Sequence, residues 1–305
     1  MVQQPVTPVA AEASTEPPIP EWSVGRILDL TTQHLKKSGS ESPRLDAELL
    51  LAHVRNCPRI QLYVQYREAV TDPQRSTMRE LVRRRAAHEP VAYLIGHREF
   101  FSLDFLVTPA TLIPRPETEI LVLELLSLAK QTGANRFLEI ATGSGCIAIS
   151  AVKNLPGCQC TATDLSDAAL AVARENARRL GVDARIDFRA GDLFAACPES
   201  ETWPLIISNP PYLSPQEIAQ LAPDVKDHEP LSALDGGPLG MQILTRLVHE
   251  APARLAPDGW LLCELDPAQG TMFANLLREQ GYRQVRLVKD RTGDVRVAVG
   301  QRPQV

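Results

Sequence analysis

The sequence predicts an α/β fold: a mostly parallel sheet with helices on both faces, closed by an antiparallel hairpin, behind a small N-terminal helical domain and a β-hairpin linker. Three observations predict it. From Thr118 onward short apolar runs alternate with amphipathic helical stretches, the alternation of a helix-flanked parallel sheet. From Trp22 to about Pro90 apolar residues recur three and four apart, with no strand-like alternation. Between them the pattern becomes Phe100, Phe101, Leu103, Phe105 and Val107, with Ser102 and Asp104 interleaved and Pro109, Pro114 and Pro116 as punctuation.

A chain of 305 residues, 44% of them hydrophobic, suits one large α/β domain plus a smaller unit. The expected organisation is a disordered tail over 1–20, a helical domain over 21–95, a hairpin linker over 96–116 and a candidate catalytic domain over 117–305. The tail is rich in Pro, Ala, Thr and Glu, with almost no large apolar side chain to offset ordering entropy. It also lacks the basic start and apolar core of a secretory signal, and no stretch of about 18 apolar residues offers a membrane span. A cytoplasmic protein is therefore expected. Cys57, Cys146, Cys158, Cys160, Cys197 and Cys263 are scattered in apolar segments without metal-ligand spacing, so they read as buried thiols and no metal is expected. The net charge of -5 gives no global attraction to phosphates, so no direct nucleic-acid contact is expected.

In the helical domain Val24, Ile27 and Leu28, then Leu45, Leu49, Leu50 and Val54, mark two apolar faces. Asp46 and Glu48 fall in the early turns of the second helix. Asp72 and Pro73 match an N-cap and first helical position of a third. Arg79, Arg83, Arg84 and Arg85 close that helix, where cations offset its dipole on a solvated face; contact with an acidic partner or RNA is the alternative.

A helix over Ile120 to Lys130 leads into strands at Arg136 to Ile140, Cys160 to Thr163, Arg185 to Arg189, Leu205 to Ser208 and Gly259 to Leu265. Tyr282 to Lys289 and Val295 to Gly300 are joined by only Asp290-Arg291-Thr292-Gly293-Asp294. That connection is too short for a parallel crossover, so these two strands pair antiparallel.

The first catalytic strand ends Glu139-Ile140-Ala141-Thr142-Gly143-Ser144-Gly145-Cys146, which puts small residues where a ligand can approach the backbone. Asp164 closes the next strand, placed to accept from ribose hydroxyls. Together they imply an adenosine moiety. Gly143-Ser144-Gly145-Cys146-Ile147-Ala148 also fits the dinucleotide fingerprint, which keeps hydride transfer open. Glu139 would repel a pyrophosphate, however, and the terminal antiparallel hairpin is atypical of dinucleotide folds. Both features suit the cationic, phosphate-free S-adenosylmethionine, with Glu139 holding its amino acid end directly or through water. Asp192 and Leu193, after the third strand, stand where adenine would lie. Taken singly, Glu139 also reads as a solvated strand end, Asp164 as a helix N-cap and Asp192 as a turn aspartate.

The fourth strand ends Ser208-Asn209-Pro210-Pro211-Tyr212, at the edge where open α/β sheets bind ligands. Proline fixes φ and stiffens the frame around the Pro210 carbonyl. A planar amide nitrogen attacks a methyl group poorly unless acceptors grip its two hydrogens. Asn209 Oδ1 and the Pro210 carbonyl supply two, and these contacts strengthen as positive charge develops on nitrogen. Pro211 completes the frame, and Tyr212 is expected to pack its ring on the planar group. Asn209, Pro210 and Tyr212 are thus the candidate catalytic residues, and Asn209 is also expected to border the cofactor.

With these residues placed, the chain resembles the class I methyltransferases with their Rossmann-like sheet, and specifically the protein-(glutamine-N5) methyltransferases of peptide chain release factors. The resemblance runs from about Ser23 to Gly300. Its specific pieces are Arg84-Arg85 through Glu89 to Gly96, Phe100-Phe101, Leu112 to Glu119, and Glu229 to Leu234. It implies methylation of the glutamine in a Gly-Gly-Gln loop, with S-adenosyl-L-homocysteine as product and the helical domain helping to engage the release factor. An N6-adenine DNA methyltransferase offers the same planar amine on a flipped base, and sister enzymes modify a ribosomal-protein glutamine. A non-catalytic binding protein is a further alternative. Arg115 to Glu119 favours the release-factor branch. The chain departs from the family at Ala141, where a first glycine is usual, at Leu193, where some members have an aromatic, and at Pro238-Leu239-Gly240, where an acid is common. Ala141 is expected to alter cofactor affinity and spare the chemistry.

Overall fold

The computed structural model describes residues 20–303. The expected tail, apart from Pro20, lies outside the described residues. Two compact units meet in sequence at Ala87 and His88, eight residues before the expected boundary.

The first unit holds α1 (Val24–Lys37), α2 (Pro43–Arg55), α3 (Arg59–Val64) and α4 (Asp72–Ala86). The short α3, between the expected second and third helices, escaped a reading based on long-range periodicity. Thr71, not Asp72, caps α4: its side chain accepts from Gln74 N, while the Gln74 side chain accepts from Thr71 N. Two acids assigned to the start of α2 do more than offset its dipole. Asp46 accepts from Arg85 at 2.8 Å, both side chains only 10% exposed, so one arginine of the expected solvated face lies inside the unit. Glu48, also buried, accepts from Arg44, Arg59 and Tyr63.

The second unit begins with α5 (Val91–Ile95) and the antiparallel hairpin β1 (His97–Phe100) and β2 (Leu103–Leu106). It continues through α6 (Glu119–Thr132), β3 (Arg136–Ile140), α7 (Cys146–Asn154), β4 (Gln159–Asp164), α8 (Asp167–Arg179), β5 (Ile186–Ala190) and β6 (Trp203–Ser208). Then come α9 (Pro215–Gln220), α10 (Pro223–Lys226), α11 (Gln242–Glu250), β7 (Leu255–Glu264), α12 (Gly270–Glu279), β8 (Arg283–Lys289) and β9 (Val295–Gln301).

Among the described residues seven strands form one sheet in the order β5-β4-β3-β6-β7-β9-β8. The first five run parallel, and β9 is antiparallel to both β7 and β8. The terminal hairpin closes where expected because Asp290 Oδ1 accepts from Thr292 N and Asp294 N, folding the five-residue connection on itself. β7 starts four residues before its expected onset: Asp258 takes φ +58°, and the strand pairs on both sides of it.

The sheet separates two apolar clusters. Phe100 and Phe105 of the hairpin, with α6 and α7, cover one face; α11 and α12 cover the other. From β3 the chain order departs in opposite directions, to β4 on one side and β6 on the other. Such a switch opens a crevice beyond the strands' carboxyl ends. Ile140 pairs with Ser208 there, bringing the turn at Ala141 beside Asn209.

Candidate active site

A cavity of about 580 Å³ fills the crevice. Its floor is Ile140 to Ser144, with Asp164 to Ser166, Gly191 to Leu193 and Asn209 around it. Of the expected cofactor residues, Ala141, Thr142, Gly143, Ser144, Asp164, Asp192, Leu193 and Asn209 line it; Glu139 and Gly145 do not.

Glu139 lies beneath the turn. It is fully buried, and its Oε2 accepts from Thr142 Oγ1 at 2.7 Å and from Ala148 N at 3.0 Å. It therefore braces the turn against the first turn of α7. This corrects both the expected direct grip on a ligand and the solvated strand end. Its Oε1 has no hydrogen-bond partner. Burial pushes its pKa up to about 8, the Asp164 charge adds to that, and the Thr142 and Ala148 hydrogen bonds oppose it.

The acid that faces the cavity is Asp164. Oδ2 accepts from Gly143 N at 2.8 Å and Oδ1 from Ser166 N at 2.9 Å, so one carboxylate fastens the glycine turn to the end of β4. Ser166, not Asp164, caps α8, accepting from Ala169 N. Burial raises the Asp164 pKa against these amide hydrogen bonds. Gly143 stands at φ +57° with open space where a Cβ would project, which leaves room for a ligand against the backbone. Ala141 takes φ +59°, a left-handed conformation that disfavours any side chain. Asp192 pairs with Arg246 at 2.9 Å on the rim. Leu193 has φ +49° and a buried side chain.

Asn209 and Pro211 line the cavity, whereas Pro210 is buried behind them. The Asn209 amide Nδ2 donates to Thr118 Oγ1 at 3.2 Å. Tyr212 does not line the cavity: its hydroxyl donates to Glu264 Oε1 at 3.3 Å and its ring packs on the α11–α12 side of the sheet. The expected stacking of Tyr212 on a planar group is corrected accordingly. Backing for the tetrapeptide comes from 234–240. Leu213 N donates to Leu234 O, Gly236 N to Leu213 O, and Gln269 Nε2 to Tyr212 O at 2.7 Å. Gly240, at φ +65°, lies so close that a Cβ would fall 1.9 Å from Tyr212 O.

The roof joins two strings that are distant in sequence. Buried Glu229 accepts from Ile113 N at 3.1 Å through Oε2 and from Arg115 through Oε1, which holds Leu112 to Arg115 beside Pro230 to Ala233. Sequence reasoning singled out both strings but not their union. It missed Thr118 and Glu264 behind Asn209 and Tyr212. It also missed Asn176, a wholly buried amide that holds Leu106 N, Leu106 O and Ser144 O. Asn176 offers only a polar break in the apolar face of α8 as a signal, and Thr118 reads as a helix start.

The cavity's charged lining is Arg115, Asp164, Asp192 and Asp235, an acidic balance that suits a cation and opposes a pyrophosphate. The open cradle at Gly143 and the acid at Asp164 likewise fit an adenosyl cofactor.

Comparison with known proteins agrees. Residues 26–96 match the PrmC N-terminal domain, and 117–224 match the methyltransferase small domain. A release factor glutamine methyltransferase of Rhodopirellula baltica is 42% identical over 94% of this chain and 98% of its own. That of Koribacter versatilis is 39% identical over 91% and 98%. A methyltransferase structure from Pyrococcus furiosus, 21% identical, shares the fold with a TM-score of 0.50 over 75% of this chain and all of its own.

Proposed function

The chain belongs to the release factor glutamine methyltransferases, and we propose that it moves a methyl group from S-adenosylmethionine to the side-chain amide nitrogen of the glutamine in a release factor's Gly-Gly-Gln loop. The observation that carries the reading is Asn209 on the wall of an acidic, glycine-floored cavity at the sheet's switch point. Bound S-adenosylmethionine supplies an electrophilic methyl on a sulfonium and leaves as S-adenosyl-L-homocysteine.

In this reading Asp164 holds the ribose and keeps the Gly143 turn closed, with Ala141 to Gly145 as the surrounding turn and Asp192 and Leu193 as the adenine border. Glu139 braces that turn from beneath, at one remove, through Thr142 and Ala148. Asn209 Oδ1 and the Pro210 carbonyl accept the two amide hydrogens of the glutamine. Their grip tightens as nitrogen turns positive, and the surplus proton leaves to solvent once the new N–C bond has formed. Alignment supplies the remaining acceleration, up to about 7–11 kcal/mol for well-oriented reactants. Pro211 and Tyr212 hold the grip rigid.

The helical unit is assigned to engaging the release factor. Among the described residues no helix is long and apolar enough to cross a membrane. We place the reaction in the cytoplasm, where termination takes place, without direct nucleic-acid contact. Purified release factor incubated with the enzyme and S-adenosylmethionine, then digested for mass spectrometry, should gain one methyl on the Gly-Gly-Gln peptide. Labelling of DNA or of a ribosomal protein in its place overturns the substrate assignment.

A further inference from the structure

We propose that Thr118 and Glu264 are positioning residues that fix which way round the Asn209 amide stands. A primary amide has two nearly isosteric ends, and only the oxygen can accept a hydrogen from the substrate. If the Asn209 amide turned over, its NH₂ would meet the substrate's NH₂ and the grip would become a repulsion. Something behind Asn209 therefore has to take the NH₂ end.

Thr118 does so: its Oγ1 accepts from Asn209 Nδ2 at 3.2 Å, and the residue is 2% exposed. A hydroxyl can also donate, and a donating Thr118 would favour the wrong amide orientation. Its proton has to be committed elsewhere. The Thr118 hydroxyl favours the ionised form of the Glu264 carboxyl. Glu264 ends β7, 2% exposed, its Oε1 accepting from Tyr212 and its Oε2 a buried oxygen with no hydrogen-bond partner. An ionised carboxylate only accepts. It draws both hydroxyl protons toward itself, which leaves Thr118 Oγ1 as an acceptor for Asn209 and tethers Tyr212 three residues further along the same loop.

The order therefore runs from Glu264 through Thr118 to Asn209. It is lost when Glu264 gains a proton, because the neutral carboxyl can donate and release the Thr118 hydroxyl. The groups facing Glu264 are Thr118, Tyr212 in the loop after β6, Arg296 on β9, Glu117 ahead of α6 and Cys146 at the start of α7. Burial raises its pKa to about 7, against the pull of Thr118, Tyr212 and Arg296. Ionisation, and with it the productive amide, is favoured as pH rises.

The inference rests on reading Asn209 as the substrate grip, and the experiment separates the two. The full-length enzyme is assayed with release factor and S-adenosylmethionine as Thr118→Val, Thr118→Ser, Glu264→Gln and Asn209→Ala, with melting temperatures recorded. Thr118→Val should lower kcat about 10- to 100-fold and leave the KM for cofactor within about twofold, while Thr118→Ser restores most of the rate. Glu264→Gln should remove the rise of kcat with pH seen in the parent, and adding Thr118→Val to it should cost no more than Thr118→Val alone. If Thr118→Val keeps kcat within about threefold, or if the two losses multiply, the inference is overturned. If Asn209→Ala itself stays active, it is the reading of the grip that fails.

Discussion

Glu139→Gln tests whether the glycine turn is built over a carboxyl that is neutral at physiological pH. The side chain is wholly buried, with a single oxygen accepting both hydrogen bonds and the other unpartnered. Its pKa rises from 4.5 in the unfolded chain to about 8 in the folded protein. The folded state thus binds a proton that the unfolded state has released between those values. Below pH 4.5 both states are protonated and the stabilising contribution is fully present. It declines by about 1.4 kcal/mol per pH unit as the pH rises toward 8, for a total loss of about 5 kcal/mol. Glutamine has the same shape, keeps an oxygen for Thr142 and Ala148, and carries no charge to desolvate. Parent and variant should therefore be nearly equally stable at pH 5, with the variant the more stable by about 4–5 kcal/mol at pH 9.

Denaturant titrations of the cofactor-free proteins at pH 5, 7 and 9 read this directly. Thermal melts should show a gap that widens to about 10 °C or more, at about 2–4 °C per kcal/mol for a unit of this size. A gap constant across that range would refute the reasoning, because it would mean that Glu139 titrates alike in both states. Glu264, raised by burial to about 7, contributes in the same direction and is common to both proteins, so it cancels in the comparison.

Three further outcomes follow from the same geometry. Ala141→Gly should raise stability by up to about 1 kcal/mol in denaturant titration, since glycine relieves the left-handed backbone at φ +59° and a looser unfolded chain offsets only part of that gain. Arg115→Ala strands the buried Glu229 carboxylate under the cavity roof; the expected cost is about 2 kcal/mol, less than for a fully buried pair because Arg115 is 35% exposed, with a higher cofactor KM. Asp164→Ala removes two carboxylate hydrogen bonds that hold Gly143 and Ser166, so calorimetric titration should show S-adenosylmethionine binding weakened about 10- to 100-fold, and unchanged affinity would remove Asp164 from the site.

What was legible in the sequence was what repeats locally. The strand from Arg136 to Ile140 and the antiparallel ending around Asp290 were readable because apolar runs and connection length leave few alternatives. Gly143, Asp164 and Asp192 were legible as cavity candidates because a glycine turn and acids after strand ends cluster where such sheets bind ligands. What failed was side-chain direction. Glu139 and Tyr212 were placed on the correct elements, but Glu139 turns beneath the floor and Tyr212 points to Glu264. A residue's element follows from its neighbours in sequence, whereas its direction at a strand end depends on long-range partners. Glu264 lies 52 residues beyond Tyr212. Thr118 and Asn176 were missed for the same reason: their partners are 91 and 70 residues away.

The corrected directions also make better chemical sense of the site. A cationic cofactor has to be attracted, yet a nucleophilic amide has to be gripped by acceptors that do not remain protonated donors. An ionised acid touching the reacting nitrogen would meet the first demand and compete for the methyl group. In this protein the buried carboxyls of Glu139 and Glu264 stand one residue back from the cavity, behind Thr142 and Thr118 respectively. In the proposed reading each acts on the chamber through a hydroxyl, and the surface offered to the substrate is the neutral oxygen of Asn209. The family-specific strings then do a different task, since Arg115 and Glu229 close the roof over this chamber rather than enter the chemistry. In the proposed reading the Asn-Pro-Pro-Tyr segment thus specifies a planar nitrogen, not the protein that carries it.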